Sequence, residues 1–97
     1  MPVTVISKRV FKIEQRDKLV PLLQQLRNKA KKQKGFISRA TYSSMNDLGE
    51  YIVISEWETV SSWRKWMDKK KTWEIQSKID SLIGEKTVFD VYKPENY

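Results

Sequence analysis

The sequence predicts an α+β domain in which four antiparallel strands carry helices on one face. Three observations point to it. Runs rich in β-branched and aromatic residues, at 3–13, 36–45, 51–57 and 85–93, have the composition of strands. Leu19, Leu22, Leu23, Leu26 and Ala30 repeat at helical spacing between the first two runs, and two shorter helical patterns separate the last two. Between the second and third runs stands only Asn46-Asp-Leu-Gly49, which is turn chemistry.

Each element has a local reason. Val3 to Ile13 alternates and is β-branched, so it reads as the first strand. Asp17 starts the first helix; Pro21 is expected in its first turn, where a missing N–H does little harm, and Gly35 supplies the stop. Phe36–Met45 is the second strand and Tyr51–Trp57 the third. Thr59 or Ser61 can cap a short helix carrying Val60, Trp63 and either Trp66 or Met67. After Asp68-Lys-Lys-Lys, a further helix sets Ile75, Ile79, Leu82 and Ile83 on one side and ends at Gly84. Glu85–Lys93 forms the fourth strand.

The order β-α-β-β-α-β implies a ferredoxin-like sheet with both helical layers on one face. The strands nevertheless carry apolar residues on both sides: Val5 and Phe11 against Ile6 and Val10, Val53 and Trp57 against Ile52 and Ile54. Something other than the helices must cover the second face. A copy of the same chain, sheet against sheet across a two-fold axis, is the economical cover, so a homodimer is expected.

Ninety-seven residues suit one domain, taken as 1–97. With neither cysteine nor histidine, thiolate nucleophiles, zinc–thiolate sites, imidazole bases and the usual axial haem ligand are excluded. No apolar run spans a bilayer and the start is unlike a signal peptide, so a cytoplasmic protein is expected. The net charge of +7 raises an anionic small molecule or nucleic acid as partner. The bases at Lys29–Lys34 close a helix and complement its dipole; Lys69-Lys-Lys71 precedes a helix start, where cations are unfavourable. No nucleic-acid-binding motif accompanies either run, so nucleic acid is the weakest partner considered.

All four tryptophans, Trp57, Trp63, Trp66 and Trp73, fall within seventeen residues. Such a cluster is either a heavy core or the wall of a cavity. Trp57 at a strand end reads as structural, and Trp66 is the leading cavity candidate. Trp63, three residues before it, can share its helix face, and Trp73 can close the cavity mouth or seal a corner.

The stretch Gly35-Phe-Ile-Ser, then Glu50-Tyr-Ile-Val-Ile-Ser-Glu-Trp57-Glu, then Val60-x-x-Trp63-x-x-Trp66 resembles the antibiotic biosynthesis monooxygenase (ABM) family. The resemblance implies a dimeric α+β barrel and oxygen chemistry without metal, flavin or nicotinamide, so no cofactor is expected. Members of its aromatic-polyketide branch oxidise phenolic or anthrone-like substrates, the deprotonated substrate itself giving electrons to O2. The protein then supplies a dry cavity and a group that stabilises a phenolate or enolate. Lys8 and Trp66 are the catalytic candidates on this reading; Trp63, Tyr42, Arg39, Trp73 and Gln76 are the substrate-binding ones. A haem-degrading branch uses an asparagine, a tryptophan and a histidine. By motif these fall at or next to Lys8, on Trp66 and on Gln76, so two of the three parts are missing. In many other relatives a histidine stands at the place of Trp66.

Several of these residues carry a plainer reading as well. Lys8 is either a cation near the cavity or a lysine reaching past the sheet edge to water, with Asp90 as a possible cross-strand partner. Arg39 and Glu56 are most simply solvent-facing. Three functions therefore stand: an ABM-type monooxygenase, a non-catalytic dimeric barrel binding a small hydrophobic ligand or haem, and a structural dimer whose aromatics are all core. A cavity of about a few hundred Å³ reaching Trp66 separates the first two from the third.

Overall fold

The computed structural model describes residues 1–96. Strand β1 (Val3–Val10) leads through a 3-10 turn (Ile13–Gln15) into helix α1 (Arg16–Ala30). Strands β2 (Phe36–Ser43) and β3 (Glu50–Trp57) follow, then helices α2 (Val60–Asp68) and α3 (Lys70–Ile83) and strand β4 (Val88–Tyr92). The sheet order is β2-β3-β1-β4 with every pairing antiparallel, as in the ferredoxin-like arrangement the sequence implied.

Register divides the side chains between two faces. Val3, Val5, Ser7 and Arg9 of β1 are buried and alternate with the more accessible Thr4, Ile6, Lys8 and Val10. Opposite them, Trp57, Ser55, Val53 and Tyr51 of β3 share the helix-facing side, which β2 extends with Arg39 and Thr41. Val5, Leu19, Leu26, Trp57, Trp66, Ile75 and Ile79 form the core between that face and the helices. The other face carries Ile6, Ile52, Ile54, Tyr42, Val88 and Tyr92, with no element of the chain over it among the described residues. Tyr42, Val88 and Tyr92 are each more than half exposed.

Some boundaries differ from those expected. Helix α1 starts at Arg16, because the 3-10 turn feeds directly into it, so Pro21 lies inside the helix rather than in its first turn. There it cannot donate to the Asp17 carbonyl, and it stays on the exposed side. Helix α3 takes in Lys70 and Lys71, which stand 3.9 and 3.8 Å from Glu74. Leu82 proves more exposed than its spacing suggests. Thr59 caps α2 by accepting from the Ser62 N–H, and Gly84 ends α3 in the left-handed conformation. Gly49 is also left-handed, and a Cβ there would lie 2.6 Å from the Phe11 carbonyl oxygen. That close approach lets Phe11 N–H donate to the Gly49 carbonyl, fixing Phe11 beneath the helical layer.

Candidate functional site

The indole cluster is packed. Trp57 is buried edge-on to Phe36 at 5.4 Å, stacks with Trp66 at 6.5 Å, and donates its N–H to Ser55 Oγ at 3.1 Å. Trp63 lies 6.1 Å from Phe89. The space left among Trp57, Trp63, Trp66, Met67 and Gln76 is about 30 Å³, room for one or two waters. The expected indole-walled hollow is therefore corrected: large planar rings meeting edge-on and in stacks fill the space they enclose.

The usable hollow lies next to it, under α1. A cavity of about 300 Å³ is bounded by Arg9, Phe11, Tyr51, Val53, Arg39 and Thr41 from the sheet and by Arg16, Val20, Leu23, Gln24 and Arg27 from the helical side. Arg9, Arg39 and Val53 are walls common to both spaces. One side of the cavity is apolar: Phe11 and Tyr51 stack at 4.5 Å with their planes 12° apart, and Val20, Leu23 and Val53 continue that wall. The rest is cationic, with four arginines and no carboxylate. A wider, open depression of about 820 Å³ at the sheet's end, past Lys12, Glu14 and Leu48, has no such concentration of charge.

Arg9 occupies a strand position that alternation turns inward, and it is 6 % exposed. Its Nη2 donates to Gln76 Oε1 at 3.0 Å and its Nε to Thr87 Oγ1 at 3.1 Å. Gln76 Nε2 in turn donates to Asp80 Oδ1 and Thr87 Oγ1 at 2.8 and 2.7 Å, and Thr87 gives both its hydroxyl and backbone hydrogens to the same Asp80 oxygen. The network locks the guanidinium in place across β1, α3 and the segment before β4. Burial lowers the Arg9 pKa to about 10, partly offset by the charge of Asp80. Arg39 is different. Its Nε is buried without an acceptor, and the side chain makes no hydrogen bond among the described residues. Burial, then the charges of Arg9 and Arg27, bring its pKa down to about 10 as well. Both arginines stay cationic at neutral pH and lack the carboxylates that usually accompany buried cations.

The candidate residues named from sequence are thus only partly gathered. Arg39 lines the cavity, so its solvent-facing reading is corrected. Gln76 is buried and reaches the cavity through Arg9. Trp63 and Trp66 line only the small void beside it. Lys8 lies on the opposite face of the sheet, its side chain 54 % exposed and paired with Glu50 at 2.8 Å, which raises its pKa. It shares no space with Trp66, and its partner is Glu50, not Asp90. Tyr42 is on that far face too, opposite Ile52 in the register. Trp73 is 54 % exposed and borders neither space, so it closes no mouth.

The residues that sequence reading missed are Arg9, Arg16 and Arg27, with Asp80 and Thr87 behind them. Arg9 had a visible signal: it falls on the alternation shared by Val5, Ser7 and Phe11, a face otherwise bound for the interior. Among the described residues, no group of three histidine, cysteine, aspartate or glutamate side chains could hold a metal ion, and no helix is long and apolar enough to cross a membrane.

The family model described as "Antibiotic biosynthesis monooxygenase" matches residues 2–76. No curated protein matches the sequence. Among solved structures, a conserved protein from Methanosarcina mazei Go1 is similar with a TM-score of 0.88 and 18% identity, over 98% of this chain and 94% of that one. Rv0793 from Mycobacterium tuberculosis gives 0.84 and 18%, over 100% and 98%. SnoaB, a cofactor-independent oxygenase from Streptomyces nogalater, gives 0.81 and 10%, over 99% and 95%. At these identities the likeness is one of fold.

Proposed function

The chain belongs to the antibiotic biosynthesis monooxygenase family, and on that premise we propose that it is a cofactor-independent monooxygenase oxidising a small anionic aromatic substrate, phenolic or anthrone-like, with O2. The observation that carries this reading is the cavity under α1, which takes the place of the Trp66-walled hollow expected from the sequence and sets an aromatic and aliphatic wall against the buried Arg9 and the half-buried Arg39. The similarity in fold to a cofactor-independent oxygenase lends it support.

The chemistry asks little of acid–base side chains. A phenol or anthrone that loses a proton becomes electron-rich enough to pass electrons to O2 itself. The ring carbon then loses its hydrogens and gains one oxygen atom as a quinone carbonyl, while the other oxygen leaves as water. What the protein supplies is a slot with one apolar wall and fixed positive charge where the oxyanion develops. Arg9 suits that role because Gln76 and Thr87 hold it in place, with Asp80 behind them. By lowering the substrate's own pKa, the arginines let solvent take the proton. Phe11 and Tyr51 offer a flat surface to the ring, and Trp66 and Trp63 back the cavity behind Arg39 and Val53. The chain works as a homodimer joined through the free sheet face, whose exposed apolar residues need a cover.

The test is oxygen uptake by the purified protein over a panel of phenols and anthrones. Saturable uptake with one O2 consumed per quinone formed, reduced about a hundredfold in Arg9→Gln, is expected. No uptake above the uncatalysed rate would overturn the enzymatic reading. Ligand or haem binding without uptake would leave a small-molecule-binding barrel.

A further inference from the structure

We propose that Arg39, with Arg27 beside it, is a carboxylate-recognition site, so that the ligand of this cavity is an aromatic acid whose carboxylate is separate from its oxidisable ring position. The inference rests on the cavity's holding an aromatic ligand but not on turnover.

Three observations lead there. First, the two sheet arginines are not equivalent. Arg9 is engaged by Gln76 and Thr87, whereas Arg39 has a buried Nε without an acceptor and no other hydrogen bond among the described residues. A half-buried guanidinium whose Nε has no acceptor carries a cost, and a ligand anion offsets it. Second, the charge exceeds what one oxyanion requires. A phenolate or enolate presents a single oxygen, which Arg9 alone can serve, yet the half-buried Arg39 also lines the cavity, with the exposed Arg16 and Arg27 at its rim, and no aspartate or glutamate does. Third, the strand register separates the two positions. Arg9 pairs with Tyr51 and Arg39 with Ser55, four residues apart on β3, or about 13 Å of strand. The cavity is thus approached by cations rooted at different levels, an arrangement that suits a ligand with two acidic groups. A guanidinium fork matches a planar carboxylate through two parallel hydrogen bonds, which neither a neutral amide nor a lone hydroxyl can accept.

The test compares naphthalene-2-carboxylate, naphthalene-2-carboxamide and 2-naphthol by isothermal titration calorimetry. The carboxylate is expected to bind at least about tenfold more tightly than the isosteric amide, with a preference that weakens in added salt. Arg39→Gln is expected to abolish the preference and still fold, since it removes a cation that has no partner; circular dichroism checks the fold. Arg39→Lys keeps the charge but loses the fork, so it retains only part of the preference. Equal affinity for acid and amide, binding of neither, or a preference untouched by Arg39→Gln would each overturn the assignment. A carboxylate preference without oxygen uptake supports this site and refutes the oxygenase; uptake of neutral phenols without a carboxylate preference does the reverse.

Discussion

The guanidinium of Arg9 donates to Gln76 Oε1 at 3.0 Å, tying the first strand to the middle of the last helix. Gln76 is buried and uses its amide hydrogens on Asp80 and Thr87, so one side chain satisfies three others. The pair converts what would be an exposed charge on most strands into a fixed cation at the cavity wall.

Gln76→Leu removes the acceptor while keeping the volume apolar. It leaves a buried charge with one partner fewer and is expected to destabilise the fold by about 2 kcal/mol in urea unfolding. Affinity for anionic aromatics is expected to fall with it, because Arg9 is then free to move.

Arg39→Met is expected to act in the opposite direction. The folded state lowers the Arg39 pKa to about 10 through burial and the charges of Arg9 and Arg27. Above that pH the unfolded chain binds the proton more tightly than the folded one, so wild-type stability gains with rising pH as the penalty on the cation fades. At about pH 8 the variant is expected to be more stable by about 1 kcal/mol, and its advantage to shrink as pH passes about 10. Paired thermal melts over that range check both parts.

Trp66→Ala opens a hole in the core beside Trp57 and is expected to cost about 3–5 kcal/mol. Trp73→Ala, at a half-exposed position, is expected to change stability by less than about 0.5 kcal/mol. Chemical denaturation of the two variants side by side separates the packed indoles from the exposed one.

Strand order was legible in the sequence because each strand and helix carries its own period, and Asn46–Gly49, Thr59 and Gly84 punctuate them locally. The site was less so. Sequence marks tryptophan as large but does not say whether four rings enclose space or fill it, and here Trp57, Trp63 and Trp66 fill it. Lys8 and Arg9 are neighbours of similar charge, and only the strand's phase decides which turns inward. The apolar Ile6 and Val10 suggested the phase of Lys8, but the helices cover the phase of Val5, Ser7 and Phe11. Arg27 and Arg39 lie on different elements, and only the fold brings them to one cavity.

Ile54→Glu places a charge on the free sheet face, directly opposite Ile6 in the register. If that face joins two copies, wild-type protein sediments at twice the mass of the chain and the variant at once, while circular dichroism shows the variant still folded, with a melting temperature lowered by the lost association. Wild-type sedimentation as a monomer would contradict the dimer.

The cavity under α1 as the seat of an anionic aromatic ligand is tested most directly by a crystal structure grown with naphthalene-2-carboxylate. The account predicts ring density against Phe11 and Tyr51, with the carboxylate within hydrogen-bond distance of Arg39. An empty cavity at saturating ligand, or a ligand seated on the far face beside Lys8 and Tyr42, would contradict it.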